Sequence, residues 1–319
     1  VPFPSPEQES AMPAPKPARD IATEITNTII ARLEAGVPPW VRPWSLTGEG
    51  GRPLRHEGTP YNGINCLWLW SIADMRGHRS RYWMTARQAT ELGGCVRRDA
   101  QPSMSIYAST FRKAGVPTLT GEASAQLIRF LRSYIVYNAD EIEGLPSYYY
   151  PRDVAPTAQL LSDRQDAIDA FFAAIPAEVR HGGGEAYFSP VLDYIRLPHA
   201  SSFRSADAYA STRAHETIHW SGHQSRLDRT FGKRFGDRAY SIEELCAEAG
   251  AAIICGELGL PTELRDSHAS YIGHWLDVLR ADKSAIFLAA AKAEQAFNYL
   301  RAFDVDVEAR DPSPMKLAA

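Results

Sequence analysis

Residues 213–223 read Arg-Ala-His-Glu-Thr-Ile-His-Trp-Ser-Gly-His, which places His215, Glu216 and His219 in a His-Glu-x-x-His array. Imidazoles four apart on a helix share a face about one turn apart, so both reach a single metal ion. Glu216, between them, points to where a metal-bound water would sit and can take its proton. The segment Tyr209–Ala214 leads in with no Gly or Pro, as the first turns of a helix require. Five letters fix only three positions, so the competing reading is a pair of surface or capping histidines on an ordinary helix.

Upstream, Glu185–Pro198 reads as a short strand through Leu192, Tyr194, Ile195 and Leu197 that ends at Pro198. A strand edge beside a metal-binding helix holds an extended peptide by backbone hydrogen bonds. The leading expectation is therefore a zinc-dependent hydrolase, with manganese or another divalent ion as the alternative metal. Such a site takes a third protein ligand and leaves the fourth position open. Gly222 suits the longer HExxHxxGxxH pattern, but Ser225 stands where its third histidine belongs, and His223 follows His219 too closely.

The next helix expected, Ser241–Cys255, is a better source of that ligand. Ser241 and Glu244 form a capping box on paper. Yet Glu244 and Glu248 also lie four apart on one face, a spacing in which one carboxylate binds the metal and the other orients a ligand histidine. The reading here is Glu244 as ligand and Glu248 behind a histidine. The reverse assignment competes with it, as does the preference of glutamates for helix starts.

A chain of 319 residues has room for two domains with cores of their own. It contains no run of about 18 apolar residues, so no membrane-spanning segment is expected. Residues 1–18 are rich in Pro and read as a disordered leader, and 304–319 as a frayed tail. Cys66, Cys95, Cys246 and Cys255 are scattered without a C-x-x-C, which fits buried free thiols in a reducing cytoplasm. Charge is uneven: Lys16–Arg132 holds 16 basic against 9 acidic residues, and Pro151 onward 18 against 24. Any polyanion binding is thus expected in the first half.

That half opens with Ile21, Ile25, Ile29, Ile30 and Leu33 at helical spacing, stopped by Gly36 and Pro38-Pro39. Five of the seven tryptophans, Trp40, Trp44, Trp68, Trp70 and Trp83, then fall within 44 residues, interleaved with arginines. Aromatic faces stack on unpaired bases while guanidinium groups hold phosphates, a mixture suited to single-stranded nucleic acid. Large aromatics more often fill cores, and core is the expectation for Trp68 and Trp70. The candidate DNA-contacting residues are Trp40, Arg42, Trp44, Arg52, Arg55, Tyr61, Arg81, Arg87, Arg97 and Arg98.

Several segments carry a more specific resemblance. Ile30–Trp44, Pro60–Asn65, Trp83–Ala89 with Leu92-Gly-Gly94, and Tyr134–Asn138 before Gly144-Leu-Pro146 resemble the N-terminal domain of ArdC-type antirestriction proteins, shared with TraC primases. The stretch from Tyr187 through His215–Arg229, Glu243–Gly250 and His268–Leu279 resembles the zincin-like metallopeptidase domain of the same proteins. The likeness spans about residues 19–303 in the same order. Where the family carries a Lys-Gly-rich turn, this chain has Arg97-Arg98-Asp99-Ala100-Gln101-Pro102, which keeps the positive charge without the glycines.

The resemblance implies an α+β chain: a single-stranded-DNA-binding domain over 19–150, then a helix-rich zincin-like domain with a small sheet over 157–303. It also implies protection of incoming plasmid or phage DNA from host restriction. The partners expected are single-stranded DNA, duplex DNA as a second possibility, and an unidentified protein substrate. Two other readings share the DNA-binding step: a DNA-binding protein with a purely structural metal, and a DNA-dependent protease acting on DNA-bound proteins.

The boundary is expected near Tyr148–Pro156, where two prolines interrupt any apolar period. A short helix over Ala167–Ile175, with Arg180, follows it. Helices over His268–Leu279 and Ser284–Phe303 are expected to pack the site from behind, with His268 and His274 as core or capping residues.

Overall fold

The computed structural model describes residues 20–40, 51–113, 126–151, 157–229, 238–260 and 268–303. Asp20 caps α1 (Ile21–Glu34), accepting the Thr23 N–H at 3.1 Å. Ile25, Ile29, Ile30 and Leu33 turn inward at the spacing visible in the sequence. There follow β1 (Leu54–Arg55), α2 (Ile64–Arg76), β2 (Tyr82–Met84), α3 (Ala86–Glu91) and β3 (Cys95–Val96). A long hairpin of β4 (Ser103–Lys113) and β5 (Gln126–Asn138) then leads to β6 (Ile142–Glu143). The main sheet runs β1-β2-β5-β4, and β3 pairs with β6.

The second half begins with α4 (Ala158–Ala174) and a three-stranded sheet of β7 (Glu178–His181), β8 (Tyr187–Ser189) and β9 (Tyr194–Leu197). Its order is β7-β9-β8, so β8 is an edge. The sheet packs on α5 (Ala206–Ser221), and α6 (Arg238–Glu257), α7 (His268–Ala281) and α8 (Ala285–Arg301) complete the layer of helices. Ala285, Ala289, Ala293 and Ala296 make a small-residue stripe on α8, and α6 answers with Ala247, Ala249, Ala251 and Ala252; all are buried. Small side chains let helix axes approach closely, which is how α6 comes to lie deep between α5 and α8.

The α+β expectation holds. One continuous buried cluster runs from α1 and α2 through to α5–α8. Across it Trp40 meets Trp275 edge to face, ring centroids 5.3 Å apart. Among the described residues no helix is long and apolar enough to cross a membrane. The leader, the tail and the residues 152–156 at the expected boundary lie outside the described residues.

Some expectations need correcting. The strand expected over Glu185–Pro198 is a hairpin, with β8 and β9 antiparallel and Leu192 exposed in the turn between them. The helix expected at Ala167–Ile175 starts at Ala158, capped by Thr157, while Arg180 belongs to β7. Ser241 lies inside α6 rather than at its N-cap, so Glu244 forms no capping box with it. Cys95 is exposed, whereas Cys66, Cys246 and Cys255 are buried thiols. Trp68 and Trp70 fill the core as expected.

Candidate metal centre

Ser205 starts α5 by accepting the Ala208 N–H at 3.0 Å. Ala214 and Ile218 then anchor the helix in the core, which fixes the rotation of the residues between them. His215 and His219 are thereby turned toward α6. Their Nε2 atoms lie 3.0 Å apart, with the rings edge to face at 4.7 Å between centroids. From α6, Glu244 brings Oε2 to 3.6 Å from His215 Nε2 and Oε1 to 3.5 Å from His219 Nε2.

Two nitrogens about 2.05 Å from one tetrahedral ion are separated by about 3.3 Å. The three observed separations bracket that value. One donor atom from each of His215, His219 and Glu244 falls within 4.8 Å of the others, and two imidazoles with one carboxylate form a set suited to zinc or manganese. The residues fit a divalent ion.

The outer nitrogens both face carboxylates. Glu248 Oε1 lies 3.3 Å from His215 Nδ1, and Glu243 Oε1 lies 3.1 Å from His219 Nδ1. Arg229 holds Glu243 in turn, with Nη2 at 2.9 Å from Oε1 and Nε at 3.2 Å from Oε2. The same guanidinium donates to Ile218 O and to Ser221 Oγ, satisfying a carbonyl at the end of α5. A Cβ at Gly222 would come within 2.6 Å of Arg229 Nη2, so glycine is required there by the arginine rather than by a longer metal motif.

Charge favours an ionised carboxylate pair. Burial opposes ionisation of Glu244, but the charge of His219 and hydrogen bonds from His215 and Tyr240 outweigh it and hold the carboxyl down at about 2. Burial likewise opposes ionisation of Glu243, and its bonds to His219 and Arg229 bring it below the ordinary carboxylate range. Glu216 is buried on α5 directly after His215. Sequence reasoning missed Glu243 and Arg229; the signal was the adjacent pair Glu243-Glu244, whose side chains leave a helix about 100° apart and meet different nitrogens of the same His219 ring.

The DNA-contact candidates divide. Trp40 and Tyr61 are each 2% exposed, and Arg52 is buried against Glu294. These three are corrected to interior positions, because Trp40 has Trp275 to pack on and Arg52 a buried carboxylate to meet. Arg81 is half-buried and donates to Arg52 O at 3.2 Å. Arg55, Arg87, Arg97 and Arg98 are exposed, with Arg87 paired to Glu91 and Arg97 to Asp99. Arg42 and Trp44 lie outside the described residues.

Residues 19–137 match the N-terminal domain of anti-restriction factor ArdC, and residues 166–292 match the zincin-like metallopeptidase family. The metal-free crystal structure of the antirestriction protein ArdC from the R388 plasmid aligns with a TM-score of 0.74 at 41% identity, covering 90% of this chain and 99% of that one. The chain belongs to the ArdC antirestriction family. A second ArdC structure, with Mn(II) bound, aligns at a TM-score of 0.73 and 39% identity over 91% of this chain and 100% of that one. The uncharacterized protein y4eC of Sinorhizobium fredii is 34% identical over 301 residues, covering 92% of this chain and 95% of its own. A DNA primase TraC of Escherichia coli is 34% identical over 297 residues, but this chain spans 27% of its length. The order of the two ArdC-type regions is the one expected from the sequence.

Proposed function

We propose that residues 19–150 bind single-stranded DNA and that residues 157–303 carry a metallopeptidase-type centre. Together they protect incoming plasmid or phage DNA from host restriction in the cytoplasm. His215, His219 and Glu244 hold one divalent ion, with zinc expected and manganese as the alternative. The observation that carries this reading is the convergence of three buried or half-buried donor atoms within 4.8 Å. Membership of the ArdC family and the Mn(II)-bound relative support it.

Three protein ligands leave one position of a tetrahedral ion open, the arrangement of catalytic sites, whereas structural sites use four. A divalent ion supplies Lewis acidity toward water and a peptide carbonyl. Glu216 acts as general base and then returns the proton to the leaving amine. Glu248 and Glu243 keep the ligand imidazoles oriented by holding their outer nitrogens. Edge strand β8 offers unpaired backbone groups beside α5 to an extended peptide of the unidentified substrate.

The test is a restriction-protection assay with Glu216→Gln, alongside metal analysis and an oligonucleotide-binding measurement. The variant should keep one metal equivalent and its DNA affinity while losing proteolysis and protection. Full protection by Glu216→Gln would contradict a catalytic role and leave a structural metal, with protection arising from occupation of the DNA.

A further inference from the structure

Pairing in the β4–β5 hairpin sets Tyr107 opposite Arg132 and Ser105 opposite Tyr134. Residues two apart on a strand share a face, so these four side chains stand together. Tyr107 is 44% exposed and Arg132 is exposed, while half-buried Tyr134 lies 6.2 Å from Tyr107 between ring centroids. The support beneath is polar and fixed. Buried Tyr61 lies against Tyr134 and Ser105. Asn65 grips the residue before Tyr107 from both sides, donating to Ile106 O at 2.6 Å and accepting its N–H at 2.8 Å.

Positive charge borders this face. The exposed Arg55 guanidinium lies 5.1 Å from the centre of the Tyr61 ring, and among the described residues it has no carboxylate within salt-bridge distance. A firmly held aromatic ring, flanked by arginines in the half of the chain with excess basic residues, complements a ligand with flat faces and a phosphate backbone.

We propose that Tyr107, Arg132 and Tyr134, with Arg55 at their border, form the surface that grips single-stranded DNA. An unpaired base stacks on Tyr107, and neighbouring phosphates sit on Arg55 and Arg132. This assignment rests on the DNA-binding reading above and gives it a place. Duplex DNA suits the surface less well, because its bases keep their faces within the stack.

Fluorescence anisotropy of the full-length protein with a labelled single-stranded oligo(dT), across a salt series, tests the assignment. Tyr107→Ala should weaken binding about 5- to 150-fold, the range for one stacked base, and Tyr107→Phe should restore it. Arg55→Ala and Arg132→Ala should each lower affinity and flatten the log–log salt dependence by about one phosphate. The charge-removal control Arg280→Ala, on α7, should bind as wild type does. Thermal melts should match wild type for the exposed positions, separating lost contact from lost fold. Wild-type affinity in Tyr107→Ala and Arg132→Ala alike would overturn the surface while DNA binding stands. No binding by the wild-type protein would overturn the DNA-binding reading itself, and this surface with it.

Discussion

Arg52 Nη2 lies 2.7 Å from Glu294 Oε2, a buried ion pair that ties the loop before α2 to α8 across 242 positions of sequence. Glu294 also accepts the Gly63 N–H at 2.9 Å, and Arg52 donates to Tyr61 O at 2.8 Å. Removing one partner strands a buried charge, at a cost of about 3–5 kcal/mol. Arg52→Met alone should therefore lower the urea midpoint strongly, and the double variant Arg52→Met/Glu294→Met should recover much of the loss. A single variant as stable as wild type would mean that water screens the pair.

The Arg229–Glu243 contact predicts a metal-affinity effect at one remove. Glu243→Gln leaves all three donor atoms in place but weakens the hold on His219 Nδ1. Loss of such an orienting partner typically costs 10–100-fold in metal affinity. Calorimetric titration with zinc should show a drop of that size at unchanged stoichiometry. An unchanged dissociation constant would sink the orienting role.

Gly250 sets the spacing of the two helices that carry the site. A Cβ there would lie 2.7 Å from Ile218 Cδ1, too close for either helix to ignore. Gly250→Ala should destabilise the protein by about 1–3 kcal/mol through overpacking. Ile218→Val in the same background should relieve part of it. Failure of that rescue would place the strain elsewhere.

Glu243 and Glu244 together predict an acid limb of stability. Each carboxyl has a folded pKa below its ordinary value of 4.5, with Glu244 at about 2. Between the two values the unfolded chain binds more protons, so stability rises with pH there. For metal-free protein the contribution is complete above about pH 4.5 and drains away as pH falls toward 2. Thermal melts in EDTA should show this loss, and Glu244→Gln should flatten it. A variant with the wild-type acid limb would refute the linkage.

Much of the site was legible because its signals are local. The spacing of His215 and His219 and that of Glu244 and Glu248 need only a helix to become geometry. The same holds for α1, whose apolar spacing is contained within one helix. What stayed hidden depends on distant contacts. Asp193 turns the hairpin between β8 and β9 at φ 52°, and Arg226, from beyond α5, holds its carboxylate at 2.5 and 2.9 Å. Trp40 reads as a surface residue among prolines, yet its packing partner Trp275 arrives only with α7. Glu243 resembles any acid near a helix start until Arg229 is folded against it.

The most direct measurement is an anomalous-difference map from crystals of the full chain grown with zinc. The account predicts one strong peak about 2.0–2.2 Å from His215 Nε2, His219 Nε2 and a Glu244 oxygen. No peak there at saturating zinc, or a peak ligated by Glu248 in place of Glu244, would contradict it.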